Sequence, residues 1–294
     1  MIRYVDRKTG KVCEEKVYGH KPLALLYGDG FLSKILYYTL LPILAYLPWF
    51  SRIYGYLQKR PASRKKIEPF IAAYKVDKTE FAPAEYASFN DFFIRKLKPS
   101  CRPIDARKEV AVMPADGRYL AYPAFDRFFV KGQEFCLESF LQNSAYARGF
   151  SSGSMLIARL CPVDYHRFHF PCDGFAGVPH LINGPLYSVN PIALKKRIAI
   201  LSENKRVITE IETEEFGTIL YVEIGATAVG TIRQTFTPDQ RIVKGQEKGY
   251  FEFGGSCLVL LFEKGRIQFD ADLVENTTKG FETLCHVGES MGRV

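Results

Sequence analysis

The sequence predicts an α+β protein in which apolar helices at the N-terminus precede a β-rich body. Three observations carry that expectation. Ile35 to Phe50 holds no charged residue and is interrupted by Pro42 and Pro48. After residue 105 the texture changes to short apolar runs such as Ser154–Ala158, Thr218–Ile224 and Cys257–Phe262, separated by Gly, Pro, Asn and Asp turns. The pentapeptide Val-Lys-Gly-Gln-Glu occurs at 130–134 and again at 243–247, in keeping with a barrel-sandwich-like body of two related halves.

Residues 1–20 read as a short polar strand or turn pair, and so polar an N-terminus is not a secretory signal. The uncharged run from 35 to 50 comes next. As one helix it would reach roughly 24 Å, short of the ~30 Å hydrocarbon core of a bilayer, and its prolines break or kink it. Helices lying in the membrane interface, with Trp49 and several tyrosines at headgroup depth, fit it better than a spanning helix. A helix hairpin packed on the protein's own core is the alternative. Lys59, Arg60, Arg64, Lys65 and Lys66 follow, with no acid before Glu68. Beside an apolar segment they suit anionic headgroups, or simply a solvated linker.

A domain boundary is expected there. It separates a membrane-associating segment with a basic linker, 1–66, from a body, 67–294. Residues 67–100 are expected to be helical, with a start near Asp77 or Ser88. Pro191 to Leu201 reads as a helix leading into a loop at Asn204.

The balance of 40 Lys+Arg against 32 Asp+Glu, a net charge of +8, suits nucleic acid or acidic lipid. No nucleic-acid-binding motif accompanies it, so no nucleic-acid partner is expected. The seven cysteines are scattered without a C-x-x-C pair, as expected of reduced, mostly buried thiols in a cytoplasmic setting.

Three segments carry chemistry. In the first, Gly254-Gly255-Ser256 leads directly into the apolar run Cys257–Phe262. A glycine carbonyl is accessible to attack, and a serine held at the start of a buried strand could reach it, so the 255–256 bond is a candidate for self-cleavage. The plainer reading is a bend or bulge before a strand. The second is Asp164-Tyr-His-Arg-Phe-His169, with two of the chain's five histidines, His166 and His169. They could be core histidines, or metal ligands at i, i+3; no third ligand with suitable spacing is visible, and no metal is expected. In the third, Pro114-Ala-Asp116-Gly117, the carboxylate could simply cap a turn. Together the segments supply a nucleophile, a base and an orienting carboxylate.

These segments resemble the phosphatidylserine decarboxylase family. The match extends through Phe89-Asn-Asp-Phe-Phe-Ile-Arg-Lys-Leu97, Arg102-Pro-Ile-Asp105, Tyr187-Ser-Val-Asn-Pro191, Gly225-Ala-Thr-Ala-Val-Gly230, Lys244-Gly-Gln-Glu247 and Gly249-Tyr-Phe-Glu-Phe-Gly-Gly-Ser256, in family order. The resemblance implies self-cleavage at Gly255–Ser256 by a triad of Asp116, His169 and Ser256. The products would be 1–255 and 256–294, held together as a heterodimer, with Ser256 converted to a covalent pyruvoyl cofactor. It implies a Schiff base between that ketone and phosphatidylserine, loss of carbon dioxide and release of phosphatidylethanolamine. His166 would serve decarboxylation, with Asp164 in support, while Tyr165 and Arg167 are read as structural. The family usually carries Thr where this chain has Cys257, a small residue that also suits a strand.

The implied setting is the cytoplasmic face of the cell membrane, with an anionic lipid surface as partner and a homodimer compatible with it. Two other readings remain open: a membrane-associated hydrolase using intact Ser256, and a non-catalytic membrane-tethered β-sandwich or carrier domain. In the usual hydrolase elbow the serine leads from a strand into a helix, which Gly254-Gly-Ser before an apolar strand does not match.

Overall fold

The computed structural model describes residues 2–124, 128–130, 133–226, 231–254 and 256–294. Gly255, residues 227–230 of the Gly225–Gly230 motif, Lys131 and Gly132 of the first pentapeptide, and the side chain of Trp49 lie outside the described residues.

The fold is mixed α+β and rich in sheet. The first residues form a hairpin of β1 (Arg3–Asp6) and β2 (Val12–Glu14), as the sequence suggests. The apolar run divides at Thr39 and again before Pro48, while Pro42 lies within the first turn of the middle helix. Helices α1 (His20–Tyr27), α2 (Phe31–Tyr38), α3 (Leu40–Tyr46) and α4 (Pro48–Lys59) are all short. Pro48 sits in the first turn of α4, where its missing N–H costs nothing. Among the described residues no helix is long and apolar enough to cross a membrane.

The expectation of a helical stretch over 67–100 is only partly met. Helix α5 (Ile67–Tyr74) stops at Lys75, whose φ of 55° is left-handed. Pro83 opposes a restart, and the next α-helix, α6 (Phe89–Phe93), begins after Ser88, whose side chain accepts from Asp91 N–H at 3.1 Å. Pro191–Lys196 is helical as expected, and Asn204 follows a second short helix, Ile200–Glu203.

The remaining strands used below are β3 (Gly117–Tyr122), β4 (Ser154–Leu160), β5 (Arg167–His169), β6 (Gly174–Ala176), β7 (Arg206–Thr213), β8 (Gly217–Gly225), β9 (Ile232–Gln234), β10 (Gln240–Ile242), β11 (Glu247–Phe251), β12 (Ser256–Phe262) and β13 (Glu282–Cys285). The main sheet runs β10-β6-β7-β8-β12-β4-β3-β13-β1-β2. Its centre, β12, is buried along its whole length and antiparallel to both neighbours, with Ser256 opposite Gly225 on one side and Leu160 on the other. Such a strand reads as an unbroken apolar run because both faces are covered.

One face, carrying Cys257, Val259 and Leu261, packs with Tyr27, Leu41 and Ala45 of the N-terminal helices. On the other face, Leu258 and Leu260 pack with Phe168 and Phe251 of a small second sheet, β9-β11-β5. By the alternation of side chains along a strand, Ser256 belongs to this second face, between the two sheets.

Candidate active site

Ser256 opens β12, and its Oγ is buried with no hydrogen-bond partner among the described residues. A lone buried hydroxyl is unfavourable in a settled core and invites a functional explanation. The preceding Gly254 has a φ of 141°, in a region closed to most side chains, so the glycine before the proposed cleavage site is needed for the path of the chain. Gly255 itself lies outside the described residues.

The two histidines occupy opposite faces of β5. His166 lies just before the strand, and its carbonyl accepts from Phe251 N–H at 3.0 Å. It shares the inward face with Phe168 and is fully buried, its ring 3.9 Å from that of Phe93. Its Nδ1 donates to the Asp164 carbonyl at 3.0 Å, which leaves Nε2 as a bare acceptor with no partner. Burial pushes its pKa down to about 3, so the imidazole is neutral at physiological pH. The inter-sheet layer therefore contains a neutral histidine nitrogen and a serine hydroxyl, both buried and both without partners among the described residues.

His169 points the other way. Its Nδ1 donates to the Gly245 carbonyl at 2.9 Å, and its Nε2 lies 3.3 Å from the Tyr165 hydroxyl, which donates to it. Burial also lowers the pKa of His169. Asp116 makes no hydrogen bond to this ring. Its carboxylate accepts from Arg102 Nη2 at 2.6 Å, Arg102 Nε at 3.0 Å and Val287 N–H at 2.9 Å. Arg102 is held in turn by Glu80 through two 2.9 Å bonds. The loop of Asp116 does reach His169 through the backbone, where His169 N–H donates to the Pro114 carbonyl at 2.7 Å. Asp116 and His169 are thus brought into one neighbourhood, within electrostatic reach of each other. In this arrangement the tautomer of His169 is set by Gly245 instead of by the carboxylate.

Asp164 is partly buried, with its side chain only 8% exposed. It accepts from Cys161 N–H at 2.6 Å and pairs with Arg118. Burial raises its pKa against the pull of Arg118. Its contribution to the site is through its backbone carbonyl, which orients His166.

Reasoning from residue types missed Arg102, Gly245 and the Tyr165 hydroxyl as contacts of the triad candidates. The first two lie within segments singled out by the resemblance, and Tyr165 had been read as structural. The bond from His169 to Gly245 spans 76 residues and leaves no local signature, whereas Tyr165 lies only 4 residues from His169.

Beside Gly254 opens a cavity of about 570 Å³, walled by Leu23, Leu26, Leu41 and Leu44 of the N-terminal helices and by Phe253. Arg118 and Arg159 also line it. Each of these arginines is paired with Glu15, which lines the cavity as well.

The phosphatidylserine decarboxylase family matches residues 89–293. The chain is 46% identical over 296 residues to the phosphatidylserine decarboxylase proenzyme of Chlamydia pneumoniae, covering 99% of this chain and 97% of that one. It is 48% identical to the proenzyme of the same name from Chlamydia muridarum, with 99% and 96% covered, and 46% identical to that of Chlamydia felis, with 99% and 98% covered.

Proposed function

The chain belongs to the phosphatidylserine decarboxylase family, and from that premise we propose that it is a proenzyme that cuts itself at Gly255–Ser256 to become an active carboxy-lyase. Its reaction is the decarboxylation of phosphatidylserine to phosphatidylethanolamine. In the self-cleavage, Ser256 Oγ forms a bond to the Gly255 carbonyl carbon, and the C–N bond of the peptide breaks to leave an ester. A base takes the Ser256 Cα proton, and the ester oxygen leaves with residues 1–255 as their C-terminal carboxylate. Water hydrolyses the remaining dehydroalanine, with loss of ammonia, to a pyruvoyl group at the head of 256–294.

The observation that carries this reading is the unpartnered, fully buried hydroxyl of Ser256 at the first residue of a central strand. A serine there has no packing role that alanine would not fill. It fits the pyruvoyl group: a carbonyl formed there would sit at a strand end beside the cavity, in surroundings poor in water. The ketone supplies an electron sink for decarboxylation of the amine-bearing headgroup.

The protein's own residues supply bases and order. His169, with Asp116 close by, is the triad base by motif position, and to reach Ser256 its Nε2 must leave Tyr165. His166 already faces the layer of Ser256 with a free Nε2, as suits a group that holds or moves a proton during decarboxylation. Asp164 orients it.

The membrane-associating role of the N-terminal segment, 1–66, belongs to the same proposal. On α2 to α4, Phe31 and Tyr38 are 83% and 76% exposed, and Ile43, Tyr46 and Tyr56 are also exposed. On the inner side of this segment α1 and α3, with Tyr54 of α4, line the 570 Å³ cavity. An anionic lipid surface on the cytoplasmic face of the membrane would bury the exposed sides and deliver substrate to the cavity. Of the basic run, Lys59 binds Glu252 at 2.8 Å and Lys66 binds Gln58 at 3.0 Å, so Arg60, Arg64 and Lys65 carry the lipid contact. The body, 67–294, is read as barrel-sandwich-like.

Denaturing intact-mass spectrometry tests the central claim. Two chains, 1–255 and a keto-blocked 256–294, are expected, and Ser256→Ala should leave one chain without activity. Fully active protein recovered as one uncut chain would overturn it.

A further inference from the structure

The inter-sheet layer holds a second feature that the self-cleavage chemistry leaves unused. Lys248 and Glu223 are both wholly buried and meet at 2.5 Å. Lys248 also donates to Thr209 Oγ1 and Gln234 Oε1, both at 2.9 Å, which satisfies all three of its protons. Its ammonium lies 4.9 Å from the Phe236 ring centre and 5.0 Å from that of Tyr221, whose buried hydroxyl has no partner among the described residues.

The positions of the pair within the two sheets relate it to the site. Lys248 lies in β11 where the pairing with β5 slips: Glu247 is opposite His169 and Gly249 is opposite Phe168, so Lys248 is the extra residue of a bulge. Bulges redirect side chains, and this one aims Lys248 into the layer. Glu223 lies in β8 opposite Leu258, and two residues on Gly225 lies opposite Ser256. Glu223 and Ser256 thus share a face as diagonal neighbours, about 7–8 Å apart by the usual spacing. One end of the ion pair is built into the strand pair bearing the histidines, and the other into the strand pair bearing the nucleophile.

We propose that the Lys248–Glu223 pair is a positioning device for the reaction centre, fixing the spacing and register of the β11–β5 pair over the end of β12 at which Ser256 stands. The inference rests on the self-cleavage reading above. Burying two charges is a poor route to stability, because apolar residues of similar volume commonly serve as well or better. An ion pair with directed hydrogen bonds, however, admits one geometry where apolar side chains admit several.

The test compares full-length wild type, Glu223→Gln and the double variant Glu223→Leu/Lys248→Met, each made by cell-free synthesis. Self-cleavage is followed by intact mass against time, and folding by melting temperature. For cleaved protein, kcat and KM are measured on phosphatidylserine in detergent micelles. The double variant is expected to melt within a few degrees of wild type and yet to cleave itself at least about tenfold more slowly, with kcat reduced and KM unchanged. Wild-type cleavage by the folded double variant would overturn the proposal, because the pair would then serve stability alone. If the double variant does not fold, the near-isosteric Glu223→Gln decides: slowed cleavage in folded protein supports the proposal and wild-type cleavage overturns it. A wild-type protein that never cleaves overturns the self-cleavage reading instead, and the two failures are thereby distinguished.

Discussion

Acid should strip stability from this protein through His166, by an amount the structure allows to be worked out. Its folded pKa is about 3 against an ordinary 6.5, and burial is the leading cause. Because the folded value is depressed, the unfolded chain takes up the proton first as pH falls. The stabilising effect is complete above about pH 6.5 and drains away as pH falls toward 3. At pH 5.0 the linkage amounts to about 2 kcal/mol, and below pH 3 it approaches about 5 kcal/mol. His166 is fully buried, so solvent screening does not reduce these figures.

The assay is urea unfolding of Ser256→Ala, which keeps the chain uncut, at pH 7.5 and 5.0, beside Ser256→Ala/His166→Gln. Acid-sensitive groups other than His166 are common to both proteins. The parent should lose about 2 kcal/mol more than the double variant between the two pH values. Equal losses would refute the claim that His166 is held neutral by burial, and with it the picture of Nε2 as a standing proton acceptor.

Two further predictions follow from the geometry. Gly245→Ala places a Cβ 2.8 Å from Ile104 Cγ1 at a φ of 78°; the left-handed backbone alone costs about 1–2 kcal/mol, so the urea midpoint should fall, and as the Gly245 carbonyl shifts off His169 Nδ1 self-cleavage should slow, whereas an unaltered cleavage rate would show that this carbonyl does not matter. Arg64→Gln/Lys65→Gln removes two exposed charges worth about 1 kcal/mol each at an anionic surface, so binding to phosphatidylserine-containing vesicles in a sedimentation assay should weaken about 30-fold, and undiminished binding would place the lipid contact elsewhere.

What was legible in the sequence was what short-range rules determine. Pro48 opened a new helix within the apolar run, Ser88 capped a helix, and the Cys257–Phe262 run became a strand buried on both faces. The motif segments around Asp116, the two histidines and Ser256 were found because each carries chemistry within a few residues. What stayed hidden depends on pairing at a distance. That β12 lies between β8 and β4, that the bulge at Lys248 meets Glu223, and that the Gly245 carbonyl takes Nδ1 of His169 are all products of register between strands far apart in the chain. The helical character expected of 67–100, with a start near Asp77 or Ser88, is met only in part for a local reason: left-handed Lys75 and Pro83 interrupt it before Ser88 caps the next helix.

The place of the proposed cut explains how a protein can break its own backbone without coming apart. Ser256 heads a seven-residue strand hydrogen-bonded on both sides, to β8 and to β4. Removing the peptide link at 255–256 and the nitrogen of Ser256 leaves the strand pairings of residues 257–262 in place. Leu258, Val259, Leu260, Leu261 and Phe262 are fully buried, and at about 1.5–3 kcal/mol each they oppose departure of the shorter chain. The same burial holds the new terminus still, between a histidine-bearing layer on one face and an apolar cavity at the strand end. A cut at an exposed loop would have been easier to make, but it would have released its new carbonyl into water. Placing it at the first residue of a central strand couples the stability of the fold to the geometry of the reaction.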